Sequence, residues 1–227
     1  MSASDKPAFA RELDRLEQAL NLPDAHLKRC WLDNEVLALW LLDIKAESTR
    51  LDTQAIGRFW QQLPFWAFAW AGGRALATWI ASHPESVTGK TVLDFGCGSG
   101  IVGIAAALAG AKQVWVADLD NNALEIAHIN AALNGVEVHP VLPGEWPEVD
   151  VLLAADVLYD ISSSDDLRRL TSAVPEWLMA ESRAVAPDFV SLQCLDTQTT
   201  ATLPAIGDFD EAVNVDIYCR SEAVTLN

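Results

Sequence analysis

The stretch Val92-Leu93-Asp94-Phe95-Gly96-Cys97-Gly98-Ser99-Gly100 decides the fold. A short apolar run, broken only by Asp94, leads into three glycines at alternate positions. A buried strand of this kind delivers the chain to a turn where side chains would collide with a bound ligand. Glycine permits both the unusual dihedrals and the close approach. Downstream, Ile101 to Ala109 predicts an apolar helix closed by Gly110. Gln113-Val114-Trp115-Val116-Ala117 predicts a second strand that ends at Asp118, where a carboxylate accepts two hydrogen bonds from ribose hydroxyls. Strand, glycine turn, helix, strand and acid together point to a nucleoside-type cofactor.

The same alternation continues outward. Asn121 to Asn134 is amphipathic and stops at Gly135, Val136-Glu137-Val138 predicts a third strand, and Val149 to Ala154 a fourth. Ser164 to Ala173 predicts a helix, Trp177 to Ala180 a fifth strand, and Val190 to Leu195 and Val213 to Cys219 two more. Strands alternating with helices at these spacings make βαβ units. The expected fold is a Rossmann-like α/β sheet of seven strands, mostly parallel, with the last antiparallel. This domain is expected over residues 63–227, with residues 1–62 as a helical N-terminal extension. Phe9, Leu13, Leu16 and Leu20 predict its first helix, Leu27, Trp31, Val36, Leu39, Trp40 and Ile44 a second, and Thr53 to Gln62 a third.

Composition narrows the partners. The formal net charge is −17, and no cluster of Lys and Arg exists to displace counterions from a duplex. No nucleic-acid partner is expected, and the acidic balance suits a basic protein segment. Cys30, Cys97, Cys194 and Cys219 are scattered without a C-x-x-C pair, so no metal site is expected and the cytoplasm is the expected compartment. The N-terminus has no signal-peptide pattern, and Leu63 to Ile80 is interrupted by Pro64, Gly72, Gly73 and Arg74, so no membrane span is expected.

Two cofactors compete, because Gly98-Ser99-Gly100-Ile101-Val102-Gly103 also fits the dinucleotide pattern G-x-G-x-x-G, with Asp118 at the matching distance. Three features favour S-adenosylmethionine. Asp94, just before the first glycine, suits a cationic ligand and repels a pyrophosphate. Too little chain follows for the substrate domain of a dehydrogenase. The fourth strand runs into Ala154-Ala155-Asp156-Val157-Leu158-Tyr159-Asp160.

Asp94-x-Gly96-x-Gly98-x-Gly100, Asp118 and Asp156-x-x-Tyr159 together resemble the seven-β-strand protein lysine methyltransferases of class I. Within them, the pattern is similar to the electron-transfer-flavoprotein β-subunit lysine methyltransferase group and its bacterial, nicotinamide N-methyltransferase-like relatives. Pro64-Phe65-Trp66-Ala67-Phe68-Ala69-Trp70-Ala71-Gly72-Gly73-Arg74-Ala75-Leu76 is similar to that group's motif before the glycines, with Ala71 replacing Pro. The resemblance implies that Trp70 packs near the methionine end of the cofactor. It places Gly96, Cys97 and Gly98 along the ribose and amino-acid portion, Asp118 on the ribose hydroxyls, Trp146 beside the adenine and Ala155 against the cofactor. It turns Asp156 and Tyr159 toward the acceptor. After the fifth strand the chain departs from the flavoprotein-specific group: Glu181-Ser182-Arg183 stands where an Asp-Pro-Gly-Arg-like run is usual.

The expected reaction is methyl transfer to a protein amine, with a lysine side chain as the acceptor. Trp66 would form an aromatic wall that desolvates the ammonium, and Asp156 would capture and orient it, with proton loss to water or Tyr159. Alternatives stay open. Trp66, Trp70 and Trp146 also read as core residues, Asp156 as a cap on the next helix, Asp120 as a helix N-cap and Arg183 as a salt-bridge residue. A small-molecule N-methyltransferase and a non-catalytic cofactor-binding scaffold share the same motifs.

Overall fold

From Thr91 to Ser182 the chain largely alternates strand and helix, as its sequence predicts, and beyond that it continues in strands. The computed structural model describes residues 9–20, 22, 24–32, 36–44, 63–142, 144–158, 164–182, 192–205, 207 and 210–220. In chain order the elements are α1 (Ala10–Ala19), β1 (Ala25–Leu32), β2 (Leu37–Ile44), a 3-10 turn (Phe65–Ala67) and α2 (Ala71–Ser82). There follow β3 (Thr91–Phe95), α3 (Ile101–Leu108), β4 (Gln113–Ala117), α4 (Asn121–Leu133), β5 (His139–Val141) and β6 (Val151–Ala155). The last are α5 (Ser164–Ala173), β7 (Glu176–Ser182), β8 (Leu192–Thr200) and β9 (Val213–Arg220).

Seven strands form one sheet in the order β5-β4-β3-β6-β7-β9-β8. The first five pair in parallel, and β9 inserts antiparallel between β7 and β8. The expected mostly parallel sheet with an antiparallel last strand is therefore present. Central β3 and β6 are buried on both faces, which is why they read as nearly unbroken apolar runs. Ile101, Val102 and Ile104 of α3 and Leu76 and Ile80 of α2 pack with Val92, Val114, Val116 and Leu153. Leu167 and Leu170 of α5 join Leu93, Phe95, Leu152 and Met179 in a separate cluster. From β3 the chain moves through α3 to β4, and it later returns to place β6 on the other side of β3. That reversal is a topological switch point, where ligands bind outside the carboxyl ends of the strands.

The N-terminal region corrects the expectation of a second helix. Ala25–Leu32 and Leu37–Ile44 form an antiparallel hairpin, in register from Ala25 opposite Ile44 to Leu32 opposite Leu37. Trp31, which helical spacing assigns to the apolar face, is 53% exposed. Ala25 and Leu27 are buried while His26 and Lys28 are exposed, an alternation of two that belongs to a strand. Among the described residues of this region, α1 keeps its helical stripe, with Leu13, Leu16 and Leu20 packed on Leu27, Leu42, Trp66, Phe68, Ile126 and Ile129.

The third main-sheet strand also shifts, from 136–138 to His139–Val141. The N–H of Val136 turns back to the carbonyl of Ala131 at 3.0 Å, so the residues after Gly135 complete the end of α4. Pro140 is tolerated because β5 lies at the sheet edge. The expected helix at Thr53 to Gln62, together with Tyr159 and Arg183, lies outside the described residues.

Candidate active site

At the end of β3 the chain turns through Gly96, Gly98 and Gly100 with φ of 70°, 50° and 80°. A side chain is unfavourable in that left-handed region, but the three glycines meet different surroundings. Gly96 is exposed, and a Cβ there would lie 2.6 Å from Val157 Cγ1. Gly98 is half-buried, and the nearest atom to a Cβ would be the Phe65 carbonyl oxygen at 3.9 Å. Gly100 is buried under α4, where a Cβ would sit 2.8 Å from that of Ala127. Gly98 thus leaves the rim open to a ligand, whereas Gly96 and Gly100 fit the loop to Val157 and Ala127.

Main-chain hydrogen bonds fix the loop. The N–H groups of Gly96 and Cys97 donate to the Ala117 carbonyl at 2.8 and 3.0 Å. The N–H of Gly98 donates to Asp118 Oδ2 and that of Asp120 to Asp118 Oδ1, each at 2.9 Å. Each oxygen of Asp118 retains a lone pair for a further donor, and the residue is half-buried at the rim. Burial raises the Asp118 carboxyl above its ordinary pKa, against the lowering effect of these N–H groups. Asp120 accepts from Asn122 N–H at 2.8 Å as the N-cap of α4.

Leu119 and Leu142 were not singled out by sequence motif, and they are 66% and 56% exposed. Ala117 and Val141 are register partners, so these leucines stand just past the paired ends of β4 and β5, on the side of Asp118. Their sequence signal is an apolar residue directly after a strand that ends at the rim. They supply an apolar wall suited to a base.

Asp94 and Cys97 lie deeper than expected. Asp94 is 2% exposed and accepts from Gly103 N–H at 2.8 Å, beneath the loop at the start of α3. Burial pushes its carboxyl up to about 7, so Asp94 braces the loop from below and is not an exposed anchor for a cation. Cys97 is buried too and lends the loop its backbone.

Across the switch point, Ala155 ends β6 opposite Ala180, and Asp156 adopts φ 52°. Asp156 N–H donates to the Ala180 carbonyl at 3.0 Å, and Asp156 Oδ2 accepts from Gly73 N–H at 3.2 Å. A Cβ at Gly72 would lie 2.6 Å from both carboxylate oxygens. Asp156 therefore seats against the N-terminus of α2, where the free N–H groups and the helix dipole favour a negative charge. It caps the helix before it, whereas the sequence offers a cap on the helix after it as the alternative to a site role. Burial raises its carboxyl to about 6, with the Gly73 and Gly72 N–H groups opposing. Next to it Glu181, 3% exposed, accepts from Val157 N–H at 2.9 Å and Leu158 N–H at 3.3 Å. Burial, reinforced by the neighbouring Asp156, pushes Glu181 up to about 8. Glu181 stands where the related motif has its Asp-Pro-Gly-Arg-like run, and it holds the segment that leads to Tyr159.

The three candidate tryptophans separate. Trp66 is 2% exposed and packed among Leu16, Leu20, Phe68 and Ile126, so it is a core residue and offers no wall to an acceptor. Trp70 is half-buried, donates from Nε1 to the Phe65 carbonyl at 2.9 Å, and lies with its ring 5.7 Å from that of Phe65. Phe65 is 43% exposed and its carbonyl faces Gly98, so the aromatic surface at the rim belongs to Phe65 and Trp70. Trp146 packs its ring 5.7 Å from that of Phe95. It also lines an open groove of about 1240 Å³ that reaches Thr91 and Asp150, at the amino ends of β3 and β6. Among the described residues no group of three His, Cys, Asp or Glu side chains could hold a metal ion, and no helix is long and apolar enough to cross a membrane.

The donor set fits S-adenosylmethionine. Asp118 has lone pairs for a ribose diol, Gly98 leaves room for a close backbone approach, and Leu119 and Leu142 provide an apolar flank. No Lys or Arg lies between Gly96 and Gly103 to meet a pyrophosphate.

Comparison with known proteins agrees with this geometry. The family model for ribosomal protein L11 methyltransferase (PrmA) matches residues 79–183. Over 109 residues the chain is 36% identical to the electron transfer flavoprotein beta subunit lysine methyltransferase of Mus musculus, covering 46% of this chain and 43% of that one. Over 127 residues it is 39% identical to the ribosomal protein L11 methyltransferase of Aeromonas salmonicida, covering 51% of this chain and 42% of that one. These alignments span less than half the length of the curated relatives. A solved structure from Pyrococcus horikoshii, proposed to be an RNA methyltransferase, superposes with a TM-score of 0.53 at 18% identity, covering 66% of this chain and 82% of that one. Sheet order, rim geometry and these likenesses together give the chain the fold of the class I S-adenosylmethionine-dependent methyltransferases.

Proposed function

We propose that the protein is an S-adenosylmethionine-dependent methyltransferase that modifies a protein amine, with a lysine side chain as the acceptor. The observation that carries this reading is the open rim at the switch point, with Gly96, Gly98 and Asp118 on one side and Asp156 on the other. The relatives named as methyltransferases of a flavoprotein subunit and of a ribosomal protein support a protein acceptor. The net charge of −17 favours one that presents a basic segment. The four free cysteines suit a reducing compartment, which we take to be the cytoplasm.

The cofactor supplies an electrophilic methyl group, which bonds to the amine nitrogen as the carbon–sulfur bond breaks and leaves a neutral thioether. Asp118 and the glycine loop would hold the cofactor in line, and positioning of this kind contributes roughly 7–11 kcal/mol. A lysine must arrive as the free amine, which costs about 4 kcal/mol near neutral pH. Phe65 and Trp70 provide the apolar surface that lowers this cost by desolvating the ammonium. Asp156 acts in the other direction: its charge draws the ammonium to the rim, and the proton then leaves to water.

Thermal unfolding with S-adenosylmethionine, S-adenosylhomocysteine or NADH added separately tests the reading. A ligand at about 100 times its Kd stabilises the fold by about 2.7 kcal/mol. A midpoint shift with the first two alone is the expected result, followed by transfer of labelled methyl to a protein in cell extract. A shift with NADH only would overturn it. Label in small molecules alone would move the acceptor to that class, and binding without any transfer would leave a scaffold.

A further inference from the structure

Two asparagines of α4 join the N-terminal hairpin to the glycine loop. Asn130 has no exposed surface. Its Nδ2 donates to the Ser99 carbonyl at 2.9 Å, and its Oδ1 accepts from the N–H of Trp40 in β2 at 2.8 Å. One turn later, Asn134 meets Ala38 as a neighbouring strand would. It accepts from Ala38 N–H at 2.9 Å and donates to the Ala38 carbonyl at 2.7 Å. Ala38 and Trp40 are two residues apart on β2, so both bonds fall on the strand edge turned away from β1. The side-chain amides thus satisfy a backbone edge that would otherwise be left unpaired. On the same side of α4, one turn before Asn130, Ala127 is the residue that leaves no room for a side chain at Gly100.

We propose that Asn130 is a positioning residue through which the hairpin sets the conformation of the cofactor loop, so that loosening the hairpin weakens cofactor binding. The proposal rests on the reading of this loop as the S-adenosylmethionine cradle. The bridge needs a donor toward Ser99 and an acceptor toward Trp40, and a carboxamide has both. Ser99 is 2% exposed, so water cannot replace a lost donor there. The chain Trp40–Asn130–Ser99 ends beside Gly98, whose N–H meets Asp118. The hairpin is therefore part of the support of the site.

Two variants of the full chain separate the links. Asn130→Asp keeps an acceptor for Trp40 and removes the donor to Ser99. Asn134→Ala frees Ala38 and touches no atom of the loop. The measurements are the Kd for S-adenosylhomocysteine by titration calorimetry and hydrogen exchange of the Gly96–Gly100 amides in the free protein. Both variants are expected to speed that exchange. The Kd should rise about tenfold or more in Asn130→Asp and about threefold in Asn134→Ala. Exchange that speeds only in the hairpin of Asn134→Ala, with the Kd and the loop unchanged, would overturn the linkage; so would a folded Asn130→Asp with a parental loop. If Asn130→Asp does not fold, Asn134→Ala decides alone. A parent protein that fails to bind S-adenosylhomocysteine while its loop still answers to Asn134→Ala would sink the cofactor reading and leave the linkage standing.

Discussion

Asp118 follows β4 and Asp156 follows β6, yet the two carboxylates face different partners. Asp118 takes one N–H on each oxygen, from Gly98 and from Asp120, and stays half-buried at an open rim. Asp156 turns to φ 52° and sets its oxygens against Gly72 and Gly73 at the start of α2, with buried Glu181 behind it. On the β4 side the carboxylate stays open to the rim. On the β6 side the charge is first a structural element of the protein, and only its outward field is left for an acceptor. The same residue type at equivalent strand ends thus divides into a group left open at the rim and a capping group, according to whether a helix N-terminus stands in front of it.

That contrast can be broken experimentally. Gly72→Ala should have the largest effect, because the added methyl would lie 2.6 Å from the Asp156 oxygens. Overpacking and loss of the cap predict roughly 3 kcal/mol of destabilisation in chemical unfolding, with little change in cofactor affinity for the protein that remains folded. A loss below about 0.5 kcal/mol would mean that Asp156 does not hold α2. Asp118→Ala should show the reverse pattern. Removal of a charged acceptor weakens S-adenosylhomocysteine binding by about 2 kcal/mol, read as a rise in Kd, while the unfolding midpoint moves little. If its stability falls as far as that of Gly72→Ala, the division between the two aspartates disappears.

Asp156→Asn sharpens the comparison. An amide oxygen can still accept from Gly73, so the stability loss should stay below about 1 kcal/mol, the share of the helix dipole. If the remaining field of Asp156 draws in the acceptor, methyl transfer slows and the acceptor KM rises. Unchanged kinetics would confine Asp156 to capping. The smallest effect concerns pH. Folding raises Asp156 to about 6 and Glu181 to about 8, so the folded state holds protons that the unfolded chain has already released. Their contribution to stability is complete below the ordinary carboxylate range and is lost as pH rises through those values. The unfolding midpoint of the parent should therefore fall between about pH 4 and 8, and Glu181→Gln should flatten the upper part of that fall. Parallel profiles would show that Glu181 ionises normally.

How much of this was legible in the sequence differs by region. The sheet from β3 to β9 follows from apolar runs punctuated by Gly96, Gly110 and Gly135, because each run is long enough to bury and each stop is local. The β1–β2 hairpin is not legible in the sequence, because the spacing of Leu27, Trp31, Val36, Leu39 and Trp40 fits a helix face as well as it fits two strands. A dense apolar stretch such as Leu37-Ala38-Leu39-Trp40-Leu41-Leu42 does not show its period. The site divides in the same way: Gly98 and Asp118, which the motif assigns to one cofactor, stand side by side and share a hydrogen bond, whereas Trp66, assigned to the acceptor, is core.

By itself, the sequence determined the glycine turn, the acid at the end of β4 and the parallel direction of the central strands. These depend on local dihedral freedom and on apolar periodicity, both of which a single stretch of chain carries. Only the tertiary structure decided which face Asp156 presents, that Glu181 stands behind it, that Asp94 lies beneath the loop, and that Leu119 and Leu142 flank Asp118. It alone joined Trp40 to Ser99 through Asn130. Those outcomes arise from packing between residues far apart in the chain, where burial and the need to satisfy each buried donor and acceptor select one arrangement from several that the local sequence permits.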